Sequence, residues 1–166
     1  MKALVCSDFG STQDLTLEQR EDLEPGAGEV LIDVKAAGVN FPDILTVEGK
    51  YQFKPELPFI PGTEVSGVVT KLGKGVATRK VGDEVVGMVQ IGGFASQVVT
   101  SEYTTFPKGS SMSYEQAAGF AVTYGTSYYA LKQRAQLQPG ETVLVLGAAG
   151  GVGIATIQIA KAMGAT

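Results

Sequence analysis

The stretch Thr142-Val143-Leu144-Val145-Leu146 runs directly into Gly147-Ala148-Ala149-Gly150-Gly151-Val152-Gly153 and then into an apolar run that ends near Met163. A continuous apolar segment of this length predicts a strand buried on both faces, the habit of parallel sheets. Residues 151–163 predict a helix, with Gly164 as the residue that closes it. A strand joined to a helix by a glycine-rich turn opens a βαβ unit, and parallel strands need such crossover helices. The chain is therefore placed in the α/β class. The second strand of the unit is expected beyond Thr166, so this part reads as the start of a doubly wound domain, cut short.

The turn itself has a chemistry. Unpaired N–H groups and the helix dipole at a helix N-terminus attract anions, a dinucleotide diphosphate among them. In the G-x-G-x-x-G frame, Ala148, Gly150 and Gly153 take the three positions; Gly147 offers a G-x-x-G-x-x-G alternative. Gly151 and Val152 complete the run of amides expected to face a diphosphate. A plain structural turn is the other reading, but the strand before and the helix after favour a nucleotide site. The residue that separates a ribose hydroxyl from a ribose phosphate lies about 20 positions further on, so NADPH and NADH are not distinguished by the residues present.

Upstream, short strand candidates alternate with turns. They are Met1–Cys6, Glu29–Ala36 after the turn Pro25–Gly28, Thr63–Leu72, Val81–Met88 and Gly93–Val99. Pro42 suits the first turn of a short helix beginning near Asn40. Glycine supplies 22 of 166 residues, about twice the usual ~7%, which fits many tight turns. Strands at this spacing suggest a partly open β-barrel. The pattern changes near Ser110. Ser113 and Gln116 have capping-box spacing, and the helical stretch Ala117–Arg134 is expected to break at Gly119 or Gly125.

Composition narrows the chemistry. The chain has no histidine, and its single cysteine is Cys6. Intrachain disulfides, His- or Cys-based nucleophile systems and the usual His/Cys zinc sites are thereby excluded for these residues. The net charge of −4 argues against nucleic acid as a partner. No apolar run reaches the ~18 residues of a membrane span, and no signal-peptide core follows Met1. The expectation is a cytoplasmic protein, with mitochondrial import open should a segment precede Met1.

Four motifs occur in order: Ala37-Gly38-Val39-Asn40-Phe41-Pro42-Asp43, Pro58–Val69 with Gly62-Thr63-Glu64 inside it, Val81–Gly87, and the Gly147–Gly153 turn. On these the chain resembles the medium-chain dehydrogenase/reductase superfamily, and within it the zinc-free quinone oxidoreductase (zeta-crystallin-like) branch, over essentially its whole length. The resemblance implies a GroES-like catalytic domain at residues 1–120 and the beginning of a Rossmann cofactor domain at 121–166. It places the first catalytic cysteine of zinc-dependent relatives at Asn40 and their Gly-His-Glu at Gly62-Thr63-Glu64; their structural-zinc lobe has no counterpart between Val86 and Gly93. Without a Lewis acid an alcohol is hard to oxidise, whereas a quinone or enone needs mainly alignment and hydrogen bonds to its oxygen.

The implied function is NADPH-dependent reduction of quinones or conjugated enones by hydride transfer, with no metal. The implied partners are a small-molecule substrate and a second copy of the full-length chain as a homodimer, with no nucleic acid or membrane. Enoyl-thioester reduction and a non-catalytic NADPH-binding or structural role are the alternatives. Asn40 is expected at the nicotinamide or substrate oxygen, its other reading being a helix cap. Tyr51 is expected at the cofactor, or as a proton donor, against loop packing. Thr126, and after it Thr123, match the nicotinamide-side threonine, against hydroxyls bonded to their own helix. Asp43 and Glu64 are read as buried structural carboxylates, Tyr124, Tyr128 and Tyr129 as packing, and Cys6 as a small buried residue. Residues 1–166 alone are expected not to turn over, with 141–166 loosely held.

Overall fold

Valine and isoleucine at alternate positions decide which segments of the first half become strands, because branched side chains pack well on a pleated surface. The computed structural model describes residues 1–166, which divide into two units, Met1–Gly119 and Phe120–Thr166. In the first unit the elements run β1 (Lys2–Val5), β2 (Thr16–Gln19), β3 (Glu29–Gly38), α1 (Phe41–Val47), β4 (Glu64–Leu72), β5 (Glu84–Met88), β6 (Gln97–Ser101), β7 (Thr105–Pro107) and α2 (Tyr114–Ala118). Five strands form one antiparallel sheet in the order β6-β3-β4-β5-β7. Its buried face carries Val30, Ile32, Val65, Val69, Val85 and Val98. Ile32 sits opposite Val69 on one side and Val98 on the other, so one register serves both neighbours.

β1 and β2 form a separate ribbon. It is tied to the run before β6 by Leu4 N–H to the Phe94 carbonyl at 2.9 Å and Ser96 N–H to the Lys2 carbonyl at 2.8 Å. The sheet does not close, and β7 pairs only with β5. The barrel is partly open. The β3–β4 pairing shifts register twice, with Thr70 left over on β4 and Lys35 on β3, and bulges of this kind bend the strands. β2 and β7 escape the sequence reading for a physical reason. Both are edge strands, one largely polar and one three residues long and ending in Pro107, which the ladder tolerates only at an edge.

In the second unit α3 (Ala121–Tyr128) passes into a π-helical turn at Tyr129–Arg134, and α4 spans Gly151–Ala162. The expected break at Gly119 is present as the cap of α2; Gly125 lies inside α3. α4 ends as its glycine predicts: Gly164 has φ +84°. Its N–H reaches the Lys161 carbonyl at 3.0 Å while Ala165 N–H reaches that of Ala160 at 3.0 Å, the paired bonds of a Schellman closure. The strand predicted at 142–146 needs correction. This segment forms no strand, and Leu144 and Leu146 are each 85% exposed. A strand exists only through its ladder partners. Here the pairing is limited to Thr166, whose N–H donates to the Glu141 carbonyl (2.9 Å) and whose carbonyl accepts Val143 N–H (2.8 Å). That spacing is the parallel one. No helix is long and apolar enough to cross a membrane.

Candidate functional site

Residues after β3 build the first cluster. The chain leaves the sheet at Gly38 and turns through Val39 to Asn40, the N-cap of α1, with Pro42 in the first turn. Asn40 N–H donates to Asp43 Oδ2 at 2.8 Å, closing the cap. The Asn40 side chain points its Nδ2 at Glu64 Oε1, 3.0 Å away on β4. Gly38 pairs directly with Glu64. A β-carbon at Gly38 would overlap both the Glu64 carboxylate and the Ala118 carbonyl, so glycine is what lets that carboxylate lie against the strand. Asn40 is thus both a cap and a held amide, and its two readings are not exclusive.

The carboxylates are deeply placed: Asp43 is 3% exposed and Glu64 1%. Burial pushes the Asp43 carboxyl above its ordinary range, partly opposed by the Asn40 N–H and by the Thr63 side chain nearby. Asp43 Oδ1 nonetheless lacks a partner in hydrogen-bond geometry. Tyr51 follows α1, half-buried, its N–H bonded to the Leu45 carbonyl at 3.1 Å. Cys6 is buried with Val47 and Phe59; its thiol donates to the Asp8 carbonyl at 3.2 Å, and burial pushes it up. No three His, Cys, Asp or Glu side chains converge as a metal-binding group.

The second unit carries the glycine turn, and its coordinates choose the frame. Gly147 has φ +70°, a conformation that favours glycine, so the G-x-x-G-x-x-G frame describes the turn and Ala148 is a linker rather than its first glycine position. A β-carbon at Gly153 would overlap the Gly147 carbonyl and Ala148 backbone. At Gly150, the N-cap of α4, φ is −77° and a β-carbon would make only ordinary contact. Gly150 N–H is taken by the Gly147 carbonyl (3.0 Å), and the helix ladder begins with Ile154 N–H to the Gly150 carbonyl (2.8 Å). The amides of Gly151, Val152 and Gly153 keep no partner in the protein. They are the orphan donors of a helix start.

Thr126 is exposed on α3, and the Thr123 hydroxyl leans on the Phe120 carbonyl at 3.4 Å. Ser127, which the sequence reading passed over, joins two helices. Its hydroxyl lies 2.8 Å from the Thr123 carbonyl and 3.1 Å from that of Val152, and accepts from Thr156 at 3.0 Å. A lone serine among aromatics carries no sequence pattern that announces this. Tyr124 packs on Phe120, ring centroids 4.4 Å apart, and its hydroxyl reaches Gln158. Tyr128 and Tyr129 are about half-exposed, so the packing expected of them is realised only in part.

The alcohol dehydrogenase GroES-like domain family matches residues 26–130. The chain belongs to the medium-chain dehydrogenase/reductase superfamily, in its quinone oxidoreductase-like branch. Within that branch it is 44% identical over 161 residues to quinone oxidoreductase-like protein 2 homolog of Nematostella vectensis, covering 96% of this chain and 44% of the relative. Quinone oxidoreductase-like protein 2 of Mus musculus is 43% identical over 159 residues, covering 96% and 45%. The quinone oxidoreductase of Thermus thermophilus, solved alone and with NADPH, superposes with a TM-score of 0.88 at 39% identity, over 99% of this chain and 51% of that one. The chain spans about half the length of the curated relatives it matches. For a member of this superfamily, the absence of histidine and of any cysteine but Cys6 leaves an amide at Asn40 and a hydroxyl at Thr63, neither a usual zinc ligand.

Proposed function

We propose that these residues supply the substrate-side domain and the diphosphate-binding turn of an NADPH-dependent reductase of quinones or conjugated enones. One observation carries the reading. Protein geometry explains the glycines at 147 and 153, but nothing within the protein requires one at 150. Glycine is an accepted N-cap, on a par with Thr, and at Gly150 its bare backbone also fits a ligand that must come close. The three unpartnered amides beyond it, with no side chain at Gly151 or Gly153, suit a doubly charged phosphate group. The residues present fit a dinucleotide, and NADPH is favoured over NADH by the family resemblance.

When bound, a reduced nicotinamide supplies hydride chemistry. The chain's own contribution is positioning. Gly151, Val152 and Gly153 donate to the diphosphate, and Thr126 and Tyr51 are assigned to the nicotinamide side. Glu64 takes one hydrogen of Asn40 Nδ2 and so fixes the amide; the second hydrogen is left to donate to a substrate oxygen that gains charge during reduction. A homodimer of the full-length chain belongs to the same proposal and rests on the resemblance.

The test is a substitution in the full-length protein. Gly150→Val is expected to weaken NADPH binding by at least about tenfold, well beyond the small drop in melting temperature that an apolar N-cap brings, because the added side chain meets ligand rather than protein. Unaltered NADPH affinity would overturn the assignment of the turn. NADPH oxidation is then followed with a quinone panel and with enoyl thioesters. Turnover confined to thioesters moves the protein toward enoyl reduction, the activity named for a structural neighbour, the CurK enoyl reductase. Tight binding without turnover on either class supports a non-catalytic role.

A further inference from the structure

α3 presses against the first turn of α4. A β-carbon built on Gly151 would lie 3.1 Å from the Thr123 methyl group, so the helices leave little room there for a side chain. One turn further along α3, Ser127 is 1% exposed. Its hydroxyl lies 2.8 Å from the Thr123 carbonyl and 3.1 Å from the Val152 carbonyl of α4. The first of these is the common bond of a helical serine to its own preceding turn. The second crosses between helices, and α4 answers it: the Thr156 hydroxyl donates to Ser127 Oγ at 3.0 Å. With that hydrogen coming in, the serine's own hydrogen is left for the two carbonyls. A serine that only capped its own turn would need neither Thr156 nor Val152.

The Val152 carbonyl and the Gly153 N–H belong to one peptide group. A donor on a peptide oxygen polarises the whole group and makes its N–H the stronger donor, as in any chain of hydrogen bonds. Because the group is planar, holding the oxygen also fixes the direction of the N–H. Gly153 N–H is one of the three amides without a partner in the protein, and Ser127 bonds the oxygen behind that one alone. Resting on the reading of the glycine turn, we propose that Ser127 is a positioning residue for the diphosphate. Through the Val152 carbonyl it aims and strengthens the Gly153 N–H, while Thr156 holds the serine hydroxyl in place. Being buried, Ser127 acts through that peptide and not on the ligand.

The experiment uses the full-length protein, first without NADPH and then with it. In the ligand-free protein, Ser127→Ala should move the Gly153 amide nitrogen resonance upfield. Those of Gly151 and Val152 should stay in place, since only the peptide behind Gly153 loses a donor. In titrations with NADPH the same variant should raise the Kd about three- to tenfold, the worth of one neutral hydrogen bond. Ser127→Cys fills the same space with a much weaker donor and should bind NADPH as poorly as Ser127→Ala. Full affinity in Ser127→Cys would make packing the cause and overturn the proposal. An unmoved Gly153 resonance in Ser127→Ala would overturn it too, whatever NADPH does. Unaltered NADPH affinity in Ser127→Ala, where Gly150→Val binds weakly, leaves the turn its ligand and removes the role of Ser127. Unaltered affinity in both removes the diphosphate from the turn, and the role of Ser127 with it.

Discussion

Glycines that look alike in the sequence do different jobs, and substitution separates them. Gly153→Ala drives a β-carbon into the Gly147 carbonyl and Ala148 backbone, and should cost about 1–3 kcal/mol in urea unfolding, as overpacking does. Gly125→Ala, inside α3 with open space around the added carbon, should stabilise by about 0.5–1 kcal/mol because alanine loses less backbone entropy in a helix. Similar stability changes from the two would mean that packing at the turn is not as described. Asn40→Ala removes the Nδ2 donor from buried Glu64. It should cost about 1–3 kcal/mol in the same measurement, the usual penalty for depriving a buried acceptor. The sequence pointed to Asn40 as an active-site position and separately as a cap. Its bond to a carboxylate 24 residues away was not legible there, because that contact depends on β3 pairing with β4.

At the level of elements, α2 is fastened to the sheet by a polar clamp. Tyr114 donates to Glu84 Oε1 at 2.5 Å, Lys108 Nζ lies 3.2 Å from Glu84 Oε2 and 5.2 Å from the Tyr114 ring centroid, and Ser66 donates to the Tyr114 carbonyl at 2.5 Å. The Tyr114 hydroxyl and then the Lys108 ammonium hold the Glu84 carboxyl below its ordinary value of 4.5. A carboxyl lowered in the folded state contributes stability that is present above its unfolded value and lost as pH falls through its folded one. Glu84→Gln should therefore flatten the acid side of the stability profile below about pH 4.5 and leave the slope near pH 7 unaltered. An unchanged acid slope in urea titrations would contradict the clamp. The capping box that starts α2 was readable from Ser113 and Gln116, since the two lie within a single turn of helix. The clamp was not, because Glu84 and Tyr114 meet only when β5 and α2 have folded.

For the whole molecule, Leu144 and Leu146 standing exposed beside a segment paired only through Thr166 make an apolar edge of the kind that invites association. A polypeptide of residues 1–166 should self-associate with rising concentration in sedimentation velocity, and Leu144→Lys should reduce this. A concentration-independent profile in both would remove the edge as its cause. Local instructions carried much of this protein. Helix starts at Asn40, Ser113 and Gly150, the glycine closure at Gly164, the valine-rich strands of the first unit and the lack of histidine all act within a few residues or through composition, so the sequence alone settled them. Tertiary structure decided the rest: the edge strands β2 and β7, the overlap that makes Gly38 and Gly153 obligatory, the Ser127 junction, and the orphaned oxygen of Asp43. Each depends on groups that meet only in the folded chain, and the free energy of such contacts exists only once the backbone has brought them together.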